Sequence, residues 1–235
     1  SLASFVNEIY SKEDGLIKCL YVDAINQDLY FLSSNNTSSS VTEVKKTSLS
    51  NFNPQTIFVI PNKISYIEDF KLNLSGIPHW TSTYSQNVGI HKYDNGFIQV
   101  YSGSAVSAFD FALGNDIYYT PQYSSDVFSL LSGNQVNSSS FSMNYISSIE
   151  VDNNTGNYFV SGYCQYSNCA KLFDDSGTPL YVGQENNIYD IELDESNQIL
   201  YFVEPYSVSQ INYDGTNHRP ITSTYYEIQS VQVKN

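Results

Sequence analysis

The stretch Ile191-Glu192-Leu193-Asp194, followed by Tyr201-Phe202, contains the pattern that decides the fold. Apolar residues alternate with polar ones, an Asp ends the run, and an aromatic pair follows a short polar turn. Four further stretches repeat it: Leu20-Tyr21-Val22-Asp23 to Tyr30-Phe31, Phe70-Lys71-Leu72-Asn73 to His79-Trp80, Phe109-Asp110-Phe111 to Tyr118-Tyr119, and Ile149-Glu150-Val151-Asp152 to Tyr158-Phe159. Because alternation places one face of a strand in a core, each stretch predicts two strands joined by a tight turn.

The repeat predicts an all-β protein, a β-propeller that forms a single domain over residues 1–235. The aromatic pairs recur about every 40 residues, the length of a four-stranded blade, so the chain suffices for six blades of four antiparallel strands. Val231-Gln232-Val233 matches the first strand of a unit and residues 2–14 alternate like outer strands, which predicts a composite closing blade. The segment from Gly15 to Val22 is short for an outer strand and a crossover, so five blades with an added terminal strand is the alternative.

The charge of the chain excludes several classes of partner. The net charge is −14 and only ten residues are Lys or Arg, which disfavours nucleic acid and anionic membrane surfaces. No apolar run is long enough to span a bilayer. Charged residues make up only 14 % of the chain, and Ser, Asn, Thr and Tyr supply its polarity. This composition is typical of secreted or cell-surface domains, although a biased genome composition would produce it too. We expect a mature form or an excised domain.

The fifth unit carries a resemblance to a known family. The run Asn197-Gln198-Ile199-Leu200-Tyr201-Phe202, with the later turn Asp214-Gly215-Thr216-Asn217, resembles the YWTD propellers (class B repeats) of the low-density-lipoprotein receptor family. The tetrapeptide is degenerate in all five units, and its acidic fourth position is retained as Glu204. The resemblance implies a six-bladed propeller that serves extracellular protein recognition.

Tyrosines recur in the loops between the second and third strands. Five residues after the first aromatic of a pair, four units place Tyr84, Tyr123, Tyr163 and Tyr206, and Ser85, Ser124, Cys164 and Ser207 follow them; Tyr166 lies in the same loop as Tyr163. These loops share one face of a propeller. Tyr offers a large, rigid contact area and a hydroxyl, which suits a protein or glycan partner in an adhesion or lectin-like role. In the alternative interpretation each Tyr packs on the neighbouring blade.

Three acidic residues of the inner strands, Asp110, Glu150 and Glu192, share one register. If they face the central channel, they could hold a cation such as calcium, and the chain would be a metal-dependent hydrolase or lactonase of the propeller type. No Ser-His-Asp or Cys-His arrangement and no phosphate loop is recognisable. We therefore favour an extracellular binding module without enzymatic activity or cofactor, and keep the channel-metal hydrolase as the alternative.

The cysteines and the glycosylation motifs fit a secreted protein. Cys164 and Cys169 lie five positions apart across a hairpin, which predicts a local disulfide and leaves Cys19 as an unbridged thiol. Five N-x-Ser/Thr motifs make the chain a candidate glycoprotein, at Asn35, Asn36, Asn73, Asn137 and Asn153. A chain rich in Asn, Ser and Thr also produces such motifs by composition alone.

Overall fold

The chain folds into small antiparallel sheets that surround an axis. The computed structural model describes residues 16–23, 25–34, 42–60, 67–83, 88–137, 141–165, 171–183, 185, 187–223 and 231. These residues form 19 strands in five sheets. No helix among them has the length and apolar character needed to cross a bilayer.

Each sheet is one blade, with its strands ordered as they follow in the chain. Blade one contains β1 (Leu16–Asp23), β2 (Asp28–Ser34), β3 (Thr42–Ser48) and β4 (Gln55–Ile60). Blade two contains β5 (Phe70–Leu72), β6 (Pro78–Ser82), β7 (Gly89–Tyr93) and β8 (Phe97–Ser102). Blade three contains β9 (Val106–Ala112), β10 (Asp116–Pro121) and β11 (Phe128–Ser129), with a 3-10 turn at Leu113–Asn115. Blade four contains β12 (Tyr145–Val151), β13 (Tyr158–Tyr163), β14 (Leu172–Asp174) and β15 (Pro179–Tyr181). Blade five contains β16 (Asp190–Asp194), β17 (Ile199–Glu204), β18 (Ser207–Asn212) and β19 (Arg219–Ser223).

The first strand of each blade is innermost, and side chains connect neighbouring inner strands. The backbone N–H of Phe109 in blade three donates to Asp69, at 3.0 Å, just before blade two. The N–H of Val151 in blade four donates to Asp110 of blade three at 2.7 Å. Because both acceptors are carboxylates, these inter-blade bonds are of the stronger, charge-assisted kind.

The aromatic pairs explain why the blades pack. The second aromatic of each pair is buried in all five blades, as Phe31, Trp80, Tyr119, Phe159 and Phe202. Trp80 lies 5.9 Å from Phe58 of blade one, and Phe159 lies 4.5 Å from Tyr213 of blade five, measured between ring centroids. Burying one large aromatic or aliphatic side chain contributes about 1.5–3 kcal/mol, so the repeat seen in the sequence is the repeat of the blade interfaces.

The two ends of the propeller differ in their connections. At one end, called the turn end, lie the tight turns between first and second strands and between third and fourth strands. Their backbones are joined, since Leu49 N–H donates to Gln27 O at 2.8 Å and Tyr213 N–H to Gln198 O at 3.0 Å. At the other end, called the loop end, lie the connections between second and third strands and the starts of the inner strands.

The predicted all-β propeller is confirmed, and the described residues form five blades rather than the six that we expected. Five is the alternative number. The composite closing blade falls on residues 1–14 and 231–233, of which only Val231 is described. Its N–H donates to Asp190 of blade five at 3.0 Å, in the register in which Phe109 N–H meets Asp69. Val231 therefore lies beside blade five, where a following inner strand would stand.

Candidate functional site

Tyr123 is the most exposed aromatic residue in the described part of the chain. It follows β10 in a turn that the N–H of Ser124 closes on the carbonyl of Pro121 at 3.1 Å. Its backbone is left-handed, with φ of 61°, and its side chain is 74 % exposed. The left-handed region costs a non-glycine residue about 1–2 kcal/mol. The loop end thus holds a large aromatic ring in solvent on a strained backbone.

Two further tyrosines continue from Tyr123 along the loop end. The ring of Tyr145, at the start of β12, meets Tyr123 edge-on with centroids 5.9 Å apart. Tyr145 also stacks on Tyr163 at 5.2 Å, because the two residues are direct partners in the β12–β13 ladder. Burial, with smaller contributions from Tyr163 and Tyr123, raises the pKa of Tyr145. The structure therefore brings the predicted residues Tyr123 and Tyr163 together through a third tyrosine.

The other predicted loop residues take separate positions. Tyr206 lies in the turn between β17 and β18 and is 52 % exposed; among the described residues no ring contact joins it to Tyr145. The serines stabilise turns: Ser124 Oγ accepts the N–H of Asp126 at 3.1 Å, and Ser207 Oγ donates to Glu204 at 3.3 Å. Tyr84, Ser85 and Tyr166 lie outside the described residues.

A cavity of about 1020 Å³ runs along the axis beside these tyrosines. At the loop end it is lined by Tyr123, Tyr145, Tyr189 and Gln122, and at the turn end by Ile25, Leu74 and Glu195. Eight of the described residues that line it are Asp or Glu, and Lys71 is the only Lys or Arg among them. The channel is therefore strongly acidic.

Lys71 lies among the carboxylates of one layer of channel side chains, called the acidic layer. Its ammonium is 3.2 Å from a carboxylate oxygen of Asp110 and is hydrogen-bonded to Glu150. It also donates to the carbonyl of Ile149 at 3.3 Å. Lys71, Asp110, Glu150 and Glu192 occupy the same position of the repeat in four consecutive blades, so their side chains enter the channel at one level.

Burial controls the protonation of this layer. Burial opposes the charged form of Lys71, but the carboxylates of Asp110, Glu150 and Asp69 outweigh it and raise the pKa of the ammonium. Burial raises the pKa of Glu150 despite Lys71. Burial also raises the pKa of Glu192, to about 8. The ammonium of Lys71 opposes this rise, and the carboxylates of Asp190, Asp110 and Asp69 add to it. Burial also raises the pKa of Asp69 to about 6.

The ammonium of Lys71 bears directly on the channel-metal hypothesis. Of the three predicted ligands Asp110, Glu150 and Glu192, the first two are ion-paired with Lys71. Among the described residues no group of three His, Cys, Asp or Glu side chains has the arrangement of a metal site. The positive charge next to Asp110 and Glu150 is therefore the ammonium of Lys71.

Two residues of the candidate site were missed in the sequence, and each had a signal. Lys71 stands in the second unit at the position of Asp110, Glu150 and Glu192, so aligning the five units would have paired the base with the acids. Tyr145 stands at the start of the fourth inner strand, opposite the predicted Tyr163. Its role follows from strand register, which the spacing of the aromatic pairs did not include.

The cysteines and the glycosylation motifs are placed as follows. Cys164 is buried at the end of β13, and its predicted partner Cys169 lies outside the described residues, so the disulfide stays a prediction. Cys19 is a partly exposed thiol that lines the cavity.

The five glycosylation candidates differ in exposure. Asn153 is exposed and Asn73 is half-buried, while Asn35 and Asn36 lie outside the described residues. Asn137 is only 6 % exposed, and its side-chain oxygen accepts the N–H of Val127 at 2.8 Å. Because a glycan acceptor must reach the surface, the folded chain does not favour Asn137.

Comparison with known proteins identifies the fold and no family. No protein-family model matches the chain, and no curated protein matches it. Solved structures do match, in 672 chains, one of which belongs to the crystal structure of a nidogen/laminin complex. That chain has a TM-score of 0.68 over 93 % of this chain and 84 % of its own length, at 11 % sequence identity. Since one fold serves many functions, this likeness establishes a β-propeller and nothing finer.

Proposed function

We propose that this chain is an extracellular binding module of the YWTD type that recognises a protein partner with its loop end. The contact centre would be Tyr123, flanked by Tyr145 and Tyr163, with Tyr206 on the neighbouring side of the ring. The exposure and the backbone of Tyr123 carry the proposal. A packed tyrosine would gain burial in return for strain, whereas this ring gains one edge-on contact and remains mostly in solvent.

Residues with a strained backbone persist only where the surrounding structure holds them, and they cluster at functional sites. Tyr is also among the residues that contribute most at protein interfaces, since it buries much area with few rotatable bonds. Tyr145 and Tyr163 are half-buried, and Tyr145, which stacks on Tyr163, holds the ring of Tyr123 through one edge-on contact. This agrees with a preformed recognition surface.

Two further observations support the choice of partner and setting. One solved chain with this fold comes from a complex of two proteins, nidogen and laminin. The scarcity of charged residues, together with exposed Asn153 in a glycosylation motif, agrees with an extracellular setting. We propose binding rather than catalysis, because Lys71 is paired with Asp110 and Glu150, two of the three carboxylates that a channel metal would use.

The proposal is tested by Tyr123→Gly and Tyr123→Ala. Gly relieves the left-handed strain and removes the ring. Tm should therefore stay constant or rise, and the free energy of unfolding should increase by up to about 1 kcal/mol. Ala removes the ring and keeps the strain. Both variants, with Val182→Ala as an exposed control, would be used to isolate partners from the extracellular fluid of the source, and captured proteins quantified by mass spectrometry.

We expect at least one protein that is retained by the wild type and Val182→Ala and lost from both Tyr123 variants. A fall of several degrees in the Tm of Tyr123→Gly would show that the ring is packing, and the site would be wrong. A glycan array offers the other outcome: sugar binding that depends on Tyr123, without a protein partner, would replace the protein by a glycan.

A further inference from the structure

The turn end, opposite to the proposed tyrosine site, exposes aliphatic side chains. The three most exposed aliphatic residues of the described chain are Ile25, Leu74 and Leu131, at 94 %, 93 % and 79 %. All three lie in turns of this end, as does Leu113 of the 3-10 turn, which is 56 % exposed. Scattered single hydrophobic residues are normal on a surface, but the presence of the three most exposed ones at the same end points to an interaction site.

Ile25 and Leu74 stand at the mouth of the acidic channel. Both line the axial cavity, together with Asp23, Glu195 and, at depth, Glu150. Glu195 of blade five accepts the N–H of Asn153 of blade four at 3.0 Å, so the turns around the mouth are linked to each other. A partner that covers the two aliphatic residues would therefore also cover the carboxylates Asp23 and Glu195 at the channel mouth.

The outer turns of the same end are acidic as well. The outer turns carry Asp94, Asp174, Asp175 and Asp214, and the inner turns add Asp23, Asp194 and Glu195. Lys46 and Lys92, on strands that reach this end, are paired with Asp28 at 2.7 Å and Asp94 at 3.4 Å. The exposed Arg219, at the start of β19, donates to the side-chain oxygen of Gln210 at 3.0 Å, so the described carboxylates of this end still outnumber its cations. The aliphatic patch is thus set in a negative field, which attracts positive partners and repels negative ones.

We propose that the turn end is a second binding surface, for a polypeptide that presents Lys or Arg next to aliphatic residues. The aliphatic residues of the partner would pack on Ile25 and Leu74, and its Lys or Arg would reach the carboxylates at the channel mouth. A second copy of this chain fits poorly, because each copy carries a net charge of −14 and two turn ends would bring acids against acids. The surface is independent of Tyr123 and lies at the opposite end.

The probe is a displayed library of random peptides, selected on the wild-type protein. Enriched peptides should combine Lys or Arg with Leu, Ile or Val, and synthetic versions would be measured by fluorescence polarisation. Leu74→Ser should weaken binding about tenfold or more, since it removes an apolar side chain that the peptide would bury. Glu195→Gln should weaken it severalfold, and added salt should weaken it further.

Val182→Ser is the matched control, because Val182 is exposed at the loop end and its variant should bind like the wild type. Unchanged Tm of Leu74→Ser would show that the fold is intact. The proposal fails if no peptide is enriched, if enriched peptides lack basic residues, or if binding survives Leu74→Ser. Peptides lost with Tyr123→Gly alone would support the loop end and overturn the turn end. Sedimentation that shows a dimer dissolved by Leu74→Ser would make the occupant a second copy.

Discussion

Glu192 is the residue on which pH should act most directly. It lies in the acidic layer with Lys71. The acids that interact with it are Asp190, Asp110 and Asp69. Its pKa rises from 4.5 to about 8 on folding, mainly through burial. A buried acid that keeps its proton in the folded state makes folding less favourable at every pH where the unfolded chain has released that proton.

We therefore predict that stability falls as pH rises from about 4.5 to about 8, and that Glu192→Gln removes part of this fall. The unfolded chain ionises near the lower value and the folded chain near the upper one, so the penalty grows across that window. Gln carries no ionisable group, and the Tm of the variant should exceed that of the wild type by more at pH 8 than at pH 5. Thermal melts in steps of pH measure this.

A Tm difference that stays constant over this window would contradict the pKa of Glu192. The Glu192→Gln variant should retain some pH dependence, because Asp69, with its pKa raised to about 6, acts in the same direction at lower pH.

At the level of strands and turns, the sequence predicted the elements that repeat and missed those that depend on register. The alternation that ends in Asp or Asn identified the first two strands of all five blades, because a two-residue period and a turn residue are local signals. The third and fourth strands vary more in length, and β11 spans two residues. The Lys71 pairs link residues about 40 and 80 positions apart, which no local pattern encodes.

Gly162 shows how closely β12 and β13 approach. A Cβ atom built on Gly162 would lie 2.0 Å from the carbonyl oxygen of Tyr145, next to the register shift after Ile146. We predict that Gly162→Ala lowers stability by about 1–3 kcal/mol, the usual range for overpacking a filled core. Thermal unfolding measures the loss, and the neighbouring variant provides the control.

That control is Ser161→Ala. The Ser161 hydroxyl is buried without a hydrogen-bond partner among the described residues, so its removal should be neutral or slightly stabilising. If both variants behave alike, the close approach of Gly162 to Tyr145 is not a constraint on the fold.

On the scale of the whole molecule, the number of blades was the weakest prediction. Chain length divided by the repeat suggested six, whereas the described residues give five, because Leu16 to Ser223 comprise five units of about 40 residues. The two chain ends, in which the sixth blade was expected, lie outside the described residues except for Val231. Chain length limits how many blades would fit, but it does not show which residues belong to strands and which to loops. The contact of Val231 with Asp190 is the remaining sign that the chain end takes part in the ring.

Deleting residues 228–235 should therefore destabilise the ring. Val231 and its bond to Asp190 are lost, and the inner strand of blade five is left uncovered on that side. We expect a clear fall in Tm by circular dichroism. Val231→Ala, which keeps the backbone N–H, should cost much less. A truncated chain that melts like the full one would show that the end adds nothing to closure.

The buried Trp80 gives the protein an optical reporter of a single interface. It is the only tryptophan of the chain, it is fully buried, and it stacks on His91 with ring centroids 5.8 Å apart. Its other aromatic neighbours include Phe58 of blade one and Phe97 of blade two. Tryptophan emission should shift to the red when these two blades separate, whereas circular dichroism averages over all five. Comparing the two signals during unfolding would reveal whether the ring opens at this interface before the remaining blades melt.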